Sequence, residues 1–118
     1  MLNAEFIRDY CLAKKEVTES LPFGPTVIVF KVFNKMFLLL ALDTTPIQFN
    51  VKCEPNIAIE LREKYNAIIT GYHMSKTHWN SIIIDGTLSD LFIKQQIDNS
   101  YDLIVESLPK SVRSNFKL

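Results

Sequence analysis

The stretch Gly71-Tyr72-His73-Met74-Ser75-Lys76-Thr77-His78-Trp79-Asn80 holds both histidines, the single tryptophan and a lysine, and contains no acid. Lys76 and the two imidazoles suit contacts with phosphate oxygens, while Tyr72 or Trp79 can pack on a sugar or an exposed base. The same residues also read as a hairpin anchor, with Trp79 half-buried against the core and the histidines bonded to backbone. As metal ligands His73 and His78 are five apart, on opposite faces of a regular strand, with Cys53 as the only candidate third ligand. That spacing matches no recognised metal motif, so no metal is expected. Catalysis is not expected either. Cys53 has no nucleophile signature around it, three glycines form no phosphate loop, and Asp98 and Asp102 at i, i+4 read as the solvated face of a helix. No cofactor is implied. Lys31 and Lys52, each on a β-prone segment, extend the set of candidate binding residues.

The elements that must position these residues follow from periodicity. Residues 3–14 carry Phe6, Ile7, Tyr10 and Cys11 at helical spacing behind a candidate N-cap, Asn3. Residues 16–25 interrupt the pattern, with Leu21-Pro22-Phe23-Gly24-Pro25 specifying a turn or rigid loop. Residues 26–33 and 36–42 read as a hairpin joined through Asn34-Lys35. Residues 47–53 alternate strictly, with Gln48, Asn50 and Lys52 on a face expected to be wet. Pro55 opens a second helix ending near Asn66, and Gly71 and residues 75–77 divide the next β-prone stretch into two short strands. Thr87 or Ser89 caps a long amphipathic helix that Pro109 interrupts. The expected architecture is a two-layer α+β domain spanning residues 1–118, an antiparallel sheet with helices on one face, in the order α-β-β-β-α-β-β-α.

The chain has 118 residues, 13 basic against 13 acidic, and 47% hydrophobic residues. This is the composition of one globular domain and lacks the basic excess of a strong general nucleic-acid binder. The balance is a cancellation between segments: residues 31–80 carry +2, whereas residues 81–108 carry −4. Two isolated cysteines point to a reducing compartment. The longest apolar run, Met36 to Leu42, is too short to span a membrane, and the N-terminal residues lack the apolar core of a signal peptide. A cytoplasmic monomer is the expectation.

Several segments together resemble the MmcQ/YjbR family. They are Leu21-Pro22-Phe23-Gly24-Pro25, Val29-Phe30-Lys31-Val32, Lys35-Met36-Phe37, Asn50-Val51-Lys52-Cys53-Glu54-Pro55, Gly71-Tyr72-His73-Met74, Lys76, His78-Trp79-Asn80, and Ser100-Tyr101-Asp102-Leu103-Ile104-Val105 with Leu108-Pro109-Lys110. The resemblance implies a small bacterial protein with the fold order above, similar to type III secretion chaperones. It also implies DNA binding through a double-wing arrangement of hairpins. The positions that match the family pattern are Lys31, Lys52, His73, Lys76, His78, Trp79 and Asn80, and with Tyr72 from the basic-aromatic stretch they make up the expected nucleic-acid-binding set. Many members carry a basic residue where this chain has Thr77 and a histidine where it has Asn99, so positive charge is lower here. The competing expectation is a protein-interaction or chaperone-like module that uses the exposed sheet face.

Overall fold

A computed structural model describes residues 2–71 and 74–114. Helix α1 (Ala4–Leu12) starts where the Asn3 side chain accepts a hydrogen bond from the Phe6 amide at 2.8 Å, and it buries Ile7 and Cys11 one turn apart. Glu16, in the left-handed region at φ 63°, turns the chain into strand β1 (Val17–Ser20). This strand is absent from the expected order. Its four residues are polar except Val17, and it lies at the sheet edge paired only with β2, so it carries almost no hydrophobic signature.

Strands β2 (Val27–Val32) and β3 (Lys35–Ala41) form the expected hairpin, with its turn one residue earlier than the sequence implies. Val32 faces Lys35, and the two loop residues, Phe33 and Asn34, both have positive φ, 46° and 67°. That is the two-residue turn whose twist matches the strands it joins. A register shift at Phe30/Lys31 inserts an extra residue into β3. In consequence Met36 packs with the residues of the open face, while Phe37 and Leu38 both enter the core.

Strand β4 (Gln48–Lys52) pairs with β3 on one side and with β6 (Trp79–Ile83) on the other, and β5 (Ile68–Thr70) closes the far edge. The six strands run in the order β1-β2-β3-β4-β6-β5, with every pairing antiparallel. Helix α2 (Pro55–Lys64) has proline in its first turn and the Glu54 carboxylate on the Ile57 amide. Helix α3 (Asp90–Ser107) is capped by Ser89 and is followed by Pro109 and the short α4 (Lys110–Arg113).

The main core lies between the sheet and the helices. Phe30, Val32, Phe37, Leu38, Leu40, Phe49, Val51 and Ile82 meet Ile7 and Cys11 of α1 and Ile93, Ile97 and Ile104 of α3. Helices α1 and α3 are tied by Asp98, which accepts hydrogen bonds from the Tyr10 hydroxyl at 2.8 Å and Lys14 Nζ at 2.5 Å. Asp98 is therefore an interhelix link as well as part of the solvated face read from its spacing. The result is the α+β class expected, with one strand more.

Candidate binding surface

Alternation along each strand puts a second set of side chains on the face that the helices leave uncovered. Read across the registers, it comprises Val27, Val29 and Lys31 of β2, Met36, Leu39 and Ala41 of β3, Gln48, Asn50 and Lys52 of β4, and Trp79 and Ser81 of β6. The face is not uniformly wet as the alternation of β4 suggests. Val29, Leu39 and Trp79 form a second, smaller apolar cluster joined by Val27, Met36 and Met74. Asn50 is buried and accepts a hydrogen bond from the Ser81 hydroxyl opposite it.

Lys31 and Lys52 share one end of this face. Lys31 lies opposite Met36, Lys52 lies opposite Trp79, and β3 separates their strands, so their backbones are about 10 Å apart, two strand spacings. Neither lysine has an ion pair among the described residues. Sequence reasoning missed the residue that sets Lys52 in place, Ser100 of α3. Its fully buried hydroxyl accepts from the Lys52 amide at 2.9 Å and donates to the Phe37 carbonyl at 2.6 Å. It thus bridges β3 and β4 where the extra residue of β3 disturbs the ladder. The polar interruption of the helix's apolar stripe at Ser100 is the only sequence signal for this role.

The segment before β6 brings further basic groups to the same end. The Cys53 amide donates to the His78 carbonyl at 2.8 Å, and the Trp79 amide to the Ser75 carbonyl at 3.0 Å. Arg62 of α2 donates from Nη1 to the Lys76 carbonyl at 3.2 Å and to Asn80 Oδ1 at 2.7 Å. Lys76 and His78 are exposed on this tethered loop. Trp79 and Asn80 have other parts. Trp79 is 9% exposed and covers the second apolar cluster, and Asn80, 1% exposed, points to the helix side and joins Arg62 to the Ala58 carbonyl. Of the sequence-derived set, Lys31, Lys52, Lys76 and His78 therefore reach the surface, whereas Trp79 and Asn80 hold it in shape. Tyr72 and His73 lie outside the described residues.

Gly71 makes the junction between β5 and β6 close. Its amide donates to the Trp79 carbonyl at 3.0 Å, and a Cβ on Gly71 would stand 2.7 Å from the Trp79 Cβ. Only glycine lets the two backbones meet at that distance.

Toward the end of this face opposite Lys31 and Lys52, over Val27, Ala41 and Gln48, lies a cavity of about 340 Å³, also lined by Phe23, Leu39, Phe49, Asn50 and Met74. Its floor is the sheet, and its rims come from the β1–β2 loop and the segment before β6. Elsewhere the chemistry is muted. Burial pushes the Cys53 thiol up, and Glu54 adds to the effect, which disfavours the thiolate that nucleophilic attack would use. Among the described residues no group of three His, Cys, Asp or Glu side chains is placed to hold a metal ion. No helix among them is long and apolar enough to cross a membrane.

A six-stranded antiparallel sheet, covered by helices on one face and offering a basic-ended, part-apolar surface on the other, defines a class of small two-layer α+β proteins. Within that class, the chain belongs to the YjbR family, whose model matches residues 12–103. It is 36% identical over 90 residues to the uncharacterized protein YbdF of Escherichia coli O157:H7, covering 75% of this chain and 73% of that one. To the uncharacterized protein YjbR of Escherichia coli K12 it is 28% identical over 104 residues, 88% of each chain. A crystal structure of a Deinococcus radiodurans protein with a DUF419 domain superposes with a TM-score of 0.90 at 28% identity, covering 98% of this chain and 88% of that one. A Pseudomonas syringae protein superposes at 0.76 with 25% identity, covering 86% of this chain and 98% of that one.

Proposed function

We propose that this YjbR-family chain acts without catalysis, as a binding module whose open sheet face takes an anionic polymer, duplex DNA in the first instance. The observation that carries the reading is the shared placement of Lys31 and Lys52. They occupy one end of the open face, next to exposed Lys76, and the strand positions on that face include no acid. Three lysines on phosphates imply modest affinity with a log-log salt slope of about −2.7. Fluorescence anisotropy with a short duplex across a salt series tests it. The reading requires binding at low salt with that slope, reduced by Lys52→Ala and by Lys76→Ala. Absence of binding at low salt, or indifference to both substitutions, refutes it.

A protein partner on the same face is the second reading, favoured by Leu21 and Phe23, which are large, apolar and exposed in the β1–β2 loop. Capture from native lysate followed by mass spectrometry should then recover a reproducible partner that Phe23→Ser releases. No enrichment over an unrelated domain of the same size counts against it.

A further inference from the structure

The hollow in the open face follows from the sizes of its residues. Val27, Ala41 and Gln48 stand side by side in the row farthest from the lysines, and Val29, Leu39 and Asn50 in the next. Ala41 offers a methyl where its same-face neighbour along β3 is a leucine, so the surface sinks between Val27 and Gln48. The floor covers about 10 Å across three strands and about 7 Å along them. Phe23 from the β1–β2 loop and Met74 from the segment before β6 wall it in. The enclosed space, about 340 Å³, lies in the range of small-molecule sites and is more than twice a cavity of about 150 Å³ that admits benzene.

The lining selects the class of molecule. Apart from Gln48 and Asn50 it is apolar, and none of it carries a charge of either sign. An ion entering it would lose water without gaining a partner, a far larger cost than that of a neutral group that is hydrogen-bonded. Lys52 lies about 13 Å from Gln48 along β4, with Trp79 buried opposite it. A sheet floor is flat, Phe23 holds a ring 62% exposed to water, and Met74 adds a thioether, surfaces that suit a planar π-system. The Asn50 side chain is engaged by the Ser81 hydroxyl, whereas the half-buried Gln48 carboxamide, both donor and acceptor, has no partner among the described residues. We propose that the cavity binds a neutral, planar aromatic small molecule of about two fused rings, its rings against Leu39, Ala41 and Phe23 and a donor–acceptor edge, such as that of a lactam, at Gln48. The inference is independent of the DNA reading, which rests on the lysines at the other end of the face.

Quinolin-2-one, a neutral bicyclic lactam, is the probe. The chain has three methionines, so spectra of protein carrying 13C at the methionine methyls report on Met74, whose resonance Met74→Leu identifies. Titration of the full chain should move the Met74 methyl saturably at one equivalent. Naphthalene-2-carboxylate and naphthalen-2-ylmethylammonium, with rings of the same size but charged, should bind weaker by about tenfold or more. Gln48→Met should weaken quinolin-2-one about fivefold, the loss of one hydrogen bond, and leave naphthalene unweakened. Ala41→Leu should abolish the response by filling the hollow. Phe23→Ala, at an exposed loop position, should weaken it and keeps the test decisive should Ala41→Leu fail to fold. No saturable movement of the Met74 methyl at millimolar quinolin-2-one overturns the proposal, as does equal affinity for either charged analogue, or indifference to both cavity variants. A dimer in sedimentation that Ala41→Leu breaks would overturn it by assigning the hollow to a second copy. A phenylalanine-bearing peptide that moves Met74 where quinolin-2-one does not would overturn it in favour of a protein segment. Lys52→Ala and Lys76→Ala should leave the titration unchanged, so its failure and the failure of DNA binding are read separately.

Discussion

Replacing Gly71 by alanine tests whether the β5–β6 junction shapes the open face. The added Cβ would lie 2.7 Å from the Trp79 Cβ and 3.1 Å from the Trp79 carbonyl oxygen, where ordinary contact is 3.4–4 Å. Neither neighbour is the free end of a flexible side chain, so relief requires the backbone of β5 to move away from that of β6. This strains the Gly71 amide bond to the Trp79 carbonyl and shifts Trp79, which lies opposite Lys52 and over Leu39. Overpacking of this kind costs about 1–3 kcal/mol. At about 4 °C per kcal/mol for a chain of this size, a 2 kcal/mol loss lowers the melting temperature by about 8 °C. Thermal unfolding followed by circular dichroism measures the loss, and the tryptophan emission maximum measures the displacement of the indole. Thr70→Ala, at an exposed neighbouring position, is the control and should stay within about 0.5 kcal/mol of the parent. A Gly71→Ala protein that melts within about 2 °C of the parent with unaltered emission would refute the close-approach argument, since no room then had to be made.

Ser100→Ala leaves the Phe37 carbonyl and the Lys52 amide without their bridging hydroxyl, a cost of about 1–3 kcal/mol in urea unfolding. It should also weaken whatever binds through Lys52, which a purely local loss of stability would not do in the folded protein. Gly24→Ala meets no atom within 4 Å, so its whole cost is backbone strain at φ 106°, about 1–3 kcal/mol, and it should disturb the placement of Phe23 without altering the core. Alkaline conditions should destabilise the fold. Burial pushes the Cys11 thiol up to about 12, and burial followed by the hydrogen bond to Asp98 pushes the Tyr10 hydroxyl up to about 12, against ordinary values of 9.0 and 10.0. The folded chain keeps protons that the unfolded chain releases, so stability is complete below about pH 9 and declines as pH rises toward about 12. Urea midpoints measured from pH 8 upward should fall, and Tyr10→Phe should flatten the decline.

The long elements were legible because their signals are redundant. Helix α3 has a serine cap, an apolar stripe and a terminating proline, and β4 has strict alternation with Phe49 and Val51 inward. What escaped depends on contacts between distant segments. Strand β1 owes its existence to pairing with β2, since Val-Thr-Glu-Ser alone has no buried stripe. The hairpin turn fell one residue early because Phe33 adopts positive φ, which its type disfavours and its packing against the core enforces. At the candidate site, lysines and aromatics look alike in sequence, as polar or large residues clustered in ten positions. Their division into surface charges, Lys76 and His78, and buried supports, Trp79 and Asn80, is set by the β4–β6 register and by Arg62, eighteen residues from Asn80. The cavity was illegible for the same reason, because Phe23, Ala41 and Met74 meet only once the loops fold over the sheet.

The sheet also decides what a formal charge of zero means for binding. Acidic residues concentrate on the helix layer, where α3 carries Asp90, Asp98, Asp102 and Glu106 against Lys94 alone, while the open face carries Lys31 and Lys52. The protein is therefore polarised across its thickness without carrying a net charge. At long range a neutral body exerts little pull on a polyanion, so encounter gains little from electrostatic steering. At contact, charges separated by more than about 8 Å at physiological salt are screened from one another, and the lysines act on a bound phosphate nearly without the helix acids behind them. The salt dependence of any DNA complex should then reside in dissociation: stopped-flow measurements should show an association rate constant changing little between low and physiological salt, and a dissociation rate constant rising steeply. An association rate that falls as steeply as the affinity would show steering by a larger basic field than the described surface provides.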